Sequence, residues 1–161
     1  MKMYQKGDKI VYPPYGAGVI EDIEEQEVDG EIQIYYVLHI PVGNLKIMIS
    51  AIKAESQRVR PIHSGEEIRG MISCAAEISM PDNWNQRYKE NMERIKTGEL
   101  TQVAIVFYNL LLRERERGLS TAEKKIMTTA KQIILSELIL SLSVDKNEAE
   151  TILDEIFYPA A

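Results

Sequence analysis

The hydrophobic pattern of this chain changes period once, near residue 60. Before that point "DKIVY" (8–12), "VIEDIEEQEV" (19–28), "EIQIYYVLHI" (31–40) and "LKIMIS" (45–50) combine β-branched and aromatic residues with polar ones. Turn formers separate them: "PPYGAG", Asp29-Gly30 and Val42-Gly43-Asn44. About five short strands joined by tight turns predict a small barrel or rolled sheet of the SH3 type.

From Ser64 onward the apolar spacing becomes helical. Ser64 and Glu67 have capping-box spacing ahead of "EEIRGMISCAAEIS", which predicts a helix to about Ser79. Met80-Pro81-Asp82-Asn83 breaks it, and Asp82 or Asn83 can cap a second helix from Trp84 to about Thr97, stopped by Gly98. Val103, Val106, Phe107 and Leu110 recur at spacings of three and four in a third helix that ends at Gly118. Ser120 and Glu123 form a second candidate capping box before "AEKKIMTTAKQIILSELILSL", and a last helix runs from Lys146 to Phe157. The prediction is therefore an α+β chain of two domains: a small β-barrel over residues 1–60 and an all-α bundle of about five helices over 61–161. The boundary is punctuated by Pro61 and Gly65.

Charge sharpens this division. The net charge of −6 argues against coating nucleic acid by bulk electrostatics. Basic residues are nevertheless concentrated in one place: residues 84–131 carry 10 Lys and Arg against 6 Glu, while the flanking segments are each net acidic. The single Cys74 excludes an internal disulfide, which fits a reducing cytoplasm. The amino terminus has no apolar signal core and no run of some 18 apolar residues occurs, so neither export nor a membrane partner is expected.

Catalytic chemistry finds few parts. Cys74, in "MISCAAEI", reads as a buried small hydrophobe rather than a nucleophile. His39 and His63 have no second imidazole or thiol at ligand spacing, so no metal, cofactor or triad is expected. "YPPYGAG" lacks the Lys-Ser/Thr of a phosphate loop and reads as a turn between strands. The acidic run "EDIEEQEVDGE" lacks calcium-loop spacing and reads as a solvated hairpin.

Two surfaces remain. In "LKIMIS", Ile47 and Ile49 alternate with Lys46 and Met48, which puts a flexible thioether on the outward side of a strand. On the helix opened by Trp84, Arg87 and Tyr88 stand at offsets of three and four, Lys89 follows, and the helix start itself attracts phosphate. "RERER" (113–117), Lys124, Lys125 and Lys131 add cations. The ordinary alternative for a lone tryptophan is burial in the core.

"GDKIVYPPYGAGVIEDIE", "LKIMIS", "NWNQRYKENMERIKTGEL", "RERERGLSTAEKKIM" and "AETILDEI", in that order, resemble the CarD/CdnL family of bacterial RNA polymerase-binding transcription regulators over roughly residues 4–157. The β half alone is also similar to the polymerase-interacting module of transcription-repair coupling factors. The resemblance implies a Tudor/SH3-like domain docking on the polymerase β subunit through Lys46, Ile47, Met48 and Ile49. It also implies a helical domain reaching promoter DNA at the upstream edge of the transcription bubble. There Trp84 would act as a minor-groove wedge, with Arg87, Tyr88 and Lys89 beside it and Lys124 and Lys125 extending the basic face towards phosphates. Some members have arginine where Met48 stands and another near Gln26, and Gln86 takes a place that is basic in others. Docking here would accordingly be more apolar, and one phosphate contact weaker. The alternative is a protein-interaction adaptor with Trp84 buried and no DNA contact. An exposed β edge would also offer two copies a route to a homodimer by edge exchange.

Overall fold

Five antiparallel strands, β1 (Lys9–Tyr12), β2 (Gly16–Val28), β3 (Glu31–Ile40), β4 (Leu45–Ser50) and β5 (Arg60–Pro61), form one sheet in the order β4-β3-β2-β1-β5. The computed structural model describes residues 3–158. Residues 1–2 and 159–161, the outermost ends of the two expected domains, lie outside the described residues. Ile10 of β1 and Ile49 of β4 share one buried cluster with Ile20, Tyr36 and Leu38, although two strands separate β1 from β4 in the sheet. The sheet therefore curls over its own core, as a Tudor-like small barrel does. A register shift between Ile20 and Asp22 bends the long β2 at the place where it leaves that core. Beyond it, the β2–β3 hairpin turns through Asp29 and Gly30, both at positive φ (52° and 81°). Asp-Gly is suited to that backbone.

Five helices follow: α1 (Gly65–Ser73), α2 (Trp84–Lys96), α3 (Leu100–Arg117), α4 (Thr121–Leu142) and α5 (Lys146–Phe157). Among the described residues no single helix is long and apolar enough to cross a membrane. The Ser64–Glu67 capping box forms in full, Asn83 rather than Asp82 caps α2, and Gly118 closes α3 at φ 77°.

Three local expectations are corrected. Helix α1 stops at Ser73, not near Ser79, and Cys74 is exposed rather than buried. The cause is Asn109 of α3: its Oδ1 accepts from the Ile78 N–H at 2.9 Å and its Nδ2 donates to the Ala76 carbonyl at 2.9 Å. That buried amide supplies the hydrogen bonds a further helical turn would have supplied. The second capping box forms only by half. Ser120 Oγ accepts from the Glu123 N–H at 3.2 Å, but the Glu123 carboxylate turns to Arg87 instead of to the Ser120 backbone.

Helix α4 is buried all round at its centre, with Ile133, Ile134, Leu135, Ser136, Glu137 and Leu138 consecutively inaccessible. A helix can be so enclosed only with partners on both sides. One side meets the other helices in a single core. The other meets the sheet: Ser136 Oγ accepts from the Ala17 N–H at 2.8 Å, and Glu137 accepts from Arg60 Nη2 and Nη1, at 2.8 and 3.0 Å, and from the His63 N–H at 2.8 Å. Arg60 Nε donates to the Gly98 carbonyl at 2.8 Å, so the α2–α3 turn joins the same seam. The expected boundary between residues 60 and 61 falls inside β5, whose Pro61 pairs with Ile10.

Candidate nucleic-acid interface

Trp84 is the first residue of α2, and the chain before it is fixed by Asn83, whose side chain accepts from the Gln86 N–H at 3.0 Å. The indole is 43% exposed, which the adaptor alternative with a buried Trp84 does not accommodate. One turn on, Tyr88 stacks on it, with ring centroids 5.4 Å apart and planes 25° from parallel. The indole Nε1–H donates to Ser120 Oγ, the N-cap of α4, at 3.2 Å. Two aromatic rings thus stand exposed where the starts of α2 and α4 meet.

Arg87 is not part of that exposed surface. It opens the buried stripe Arg87, Asn91, Ile95 of α2 and is 4% exposed. Its Nε and Nη2 donate to Glu123 at 2.8 and 3.2 Å, and its Nη1 donates to the Pro81 and Asp82 carbonyls, each at 3.1 Å. The expectation of an Arg87–phosphate contact is corrected accordingly: a guanidinium so enclosed is a fixture of the Trp84 mount. The four-residue spacing of Arg87, Asn91 and Ile95 carried this signal, because it continues the inward face of α2. Glu123 is 2% exposed and also receives the Ser120 hydroxyl at 3.1 Å, with Arg113 Nε 3.9 Å away. The hydrogen bonds from Arg87 hold its carboxyl below the usual carboxylate range, despite the burial that opposes ionisation.

The remaining expected cations are exposed but differently placed. Lys124 and Lys125 lie in the first two turns of α4, just after Ser120. Lys125 and Tyr88 line one groove of about 550 Å³ with Thr121, Met92 and Ile126. Lys89 is exposed but turned about 140° around α2 from Trp84, at 3.6 residues per turn. Of "RERER", Arg113 faces Glu123 and Arg115 lies over the Tyr158 ring at 4.6 Å, so neither joins Trp84. The structure thus brings Trp84 and Tyr88 together with Lys125, places Lys124 beside Lys125, and adds Thr121, which the sequence did not single out.

The second surface is β4, an end strand of the sheet. Met48 is 45% exposed on its outward side, opposite Val37, and Lys46 pairs with Glu21 at 3.0 Å. Ile47 is half-buried and packs on the barrel core. Ile49 is 1% exposed inside that core, so its side chain cannot serve in docking and is corrected to a structural one. Exposed Leu45 opens the strand and exposed Ile52 lies just beyond its end.

His39 and His63 are both engaged: His39 Nε2 meets Asn44 Oδ1 at 2.8 Å, and His63 Nδ1 lies 3.7 Å from Glu67. Among the described residues no group of three His, Cys, Asp or Glu is placed to hold a metal.

Residues 4–63 match the family model described as CarD-like/TRCF RID domain, and residues 72–154 match CarD, C-terminal domain. This chain belongs to the CarD family. A Bacillus subtilis (strain 168) protein named "Putative transcription factor YdeB" is similar to it, 38% identical over 140 residues that cover 84% of this chain and 90% of that protein. The CarD-family protein is accordingly a transcription regulator, of a family of transcription factors rather than of enzymes, and its amino-terminal domain type implies interaction with RNA polymerase. Its fold is the one expected, a Tudor-like β domain followed by a helical region.

Proposed function

We propose that this CarD-family protein docks on the RNA polymerase β subunit through the outward side of β4, centred on Met48, and stabilises the open promoter complex by placing Trp84 in the minor groove at the upstream edge of the bubble. The observation that carries the reading is a large aromatic ring, 43% exposed, fixed at a helix start and backed by a second ring. Lys125 shares a groove with Tyr88, Lys124 lies beside Lys125 on α4, and the two supply phosphate contacts without reading bases.

The energetics suit a DNA contact delivered by a protein contact. Wedging a ring between stacked base pairs costs a few kcal/mol of unstacking. At a bubble edge melting has already separated one side of the step, so the stacking gain of about 1 to 3 kcal/mol is kept. That changes an open–closed ratio roughly 5- to 150-fold. Docking raises the local concentration of the wedge, so high intrinsic DNA affinity is unnecessary and a net charge of −6 is tolerated.

The reading is tested with 2-aminopurine placed at successive positions of the upstream bubble edge in a polymerase–promoter complex. The wild-type protein is expected to quench or shift the probe at one or two adjacent positions, and Trp84→Ala to leave it unaffected. Equal responses from both proteins would contradict the wedge.

A further inference from the structure

The Ser120 hydroxyl has one proton to donate and two lone pairs to accept with, and in this structure all three are in use. It donates to Glu123 Oε1 at 3.1 Å, and it accepts from the Glu123 N–H at 3.2 Å and from the Trp84 indole N–H at 3.2 Å. A hydroxyl bonded in three directions cannot rotate, so its acceptor lobe stays aimed at the indole. The partner that fixes it is itself fixed: Glu123 is bonded by two Arg87 nitrogens, and Arg87 stands three residues after Trp84 on α2. Trp84, Ser120, Glu123 and Arg87 therefore close a ring of contacts that leaves α2, crosses to α4 and returns. Tyr88 supplies the other restraint, stacking against the ring face.

We infer that Ser120 is a positioning residue for Trp84: by capturing the indole N–H it holds the exposed ring in one orientation before DNA is met. This rests on the wedge reading and adds to it. An exposed side chain in a first helical turn is ordinarily free in both of its torsions, and that freedom is lost on insertion. Fixing one such side chain in advance is worth roughly a two- to tenfold change in an equilibrium. Ser120 has no need to touch DNA for this, and it comes from a helix whose start is 36 residues further along the chain.

Full-length protein carrying 5-fluorotryptophan at its one tryptophan gives a ¹⁹F signal that reports the ring alone, and open-complex lifetime with polymerase reports the consequence. Glycine is an accepted N-cap residue, so Ser120→Gly removes the hydroxyl with little effect on the start of α4. A moved or broadened ¹⁹F resonance and a lifetime shortened two- to tenfold are expected, with polymerase affinity unchanged. Ser120→Thr, which keeps the hydroxyl, is expected to restore both. Should Ser120→Gly fail to fold, benzothienylalanine at position 84, which replaces the indole N–H by sulfur, breaks the same contact from the other side and leaves the cap intact. Its lifetime is expected to fall by the same factor. A wild-type lifetime with Ser120→Gly or with the benzothienyl ring, in an experiment where Trp84→Ala shortens it, would overturn the positioning role and leave the wedge standing. A wild-type lifetime with Trp84→Ala would overturn the wedge and the positioning role together.

Discussion

Glu123 sits where Arg87, Arg113 and Ser120 converge, and it is nearly inaccessible to water. Removing one partner of such a pair leaves a buried charge without compensation, at a cost of about 3 to 5 kcal/mol. Glu123→Ala is expected to lose that much stability in urea denaturation, and the double change Arg87→Met with Glu123→Leu to lose clearly less. The pair also sets an acid limit. Because the folded carboxyl is held below its ordinary value of 4.5, its contribution is present above that value and lost as pH falls through the lower folded one. Stability measured against pH is expected to show a smaller acid-side loss in the double variant than in the wild type, the Glu67 carboxyl, held below its ordinary value by its Ser64 hydrogen bonds, remaining in both. Arg87 was misread from the sequence because a charged residue beside an aromatic one suggests a surface. Its spacing to Asn91 and Ile95 marks the inward face of α2, and the partner that neutralises its charge there comes from 36 residues away. That Trp84 and Tyr88 share a face was legible from their offset of four; that both are exposed was not, since a lone tryptophan is as readily buried.

At the scale of elements, β4 and α1 show opposite degrees of legibility. The alternation in "LKIMIS" gave the right sides for Met48 and Ile49, since a strand's two faces are fixed by its period. It did not separate docking from packing: Ile49 belongs to the barrel core. Met48→Asp is expected to abolish capture of polymerase while the melting temperature stays within a few degrees of wild type, because the thioether faces outward. Retained capture would move the docking surface off β4. The end of α1 was not legible, because the apolar period runs on through "CAAEIS" while the side chain of Asn109, on another helix, holds that backbone out of helical form. Asn109→Ala is expected to destabilise the protein by about 1 to 3 kcal/mol, the loss of its two bridging hydrogen bonds at roughly 0.5 to 1.5 kcal/mol each, as read by thermal or urea unfolding.

At the scale of the whole molecule, the two halves were legible as a change of period, but their seam was not. Ser136 and Glu137, the polar pair within "IILSELIL", face the sheet in the fold, where Ser136 holds Ala17 and Glu137 holds Arg60 and His63. Gly16 permits the approach, since a Cβ there would lie 2.7 Å from Ser136 Oγ. The seam ties the β4-bearing sheet to the helices that present Trp84, so the proposed docking strand and the proposed wedge are joined through hydrogen bonds rather than by a free linker. Glu137→Ala is expected to weaken both stability and the effect on polymerase, while Met48→Asp weakens only the second.

The central claim is that Trp84 stabilises the open complex from a docked position. Its most direct measurement is open-complex lifetime on a defined promoter with polymerase alone, with the wild-type protein and with Trp84→Ala. The wild type is expected to lengthen the lifetime at least fivefold, within the range that a stacking contact of about 1 to 3 kcal/mol allows, and Trp84→Ala to bind polymerase equally well but return the lifetime towards that of polymerase alone. Equal lifetimes with the two proteins, both bound, would contradict the account.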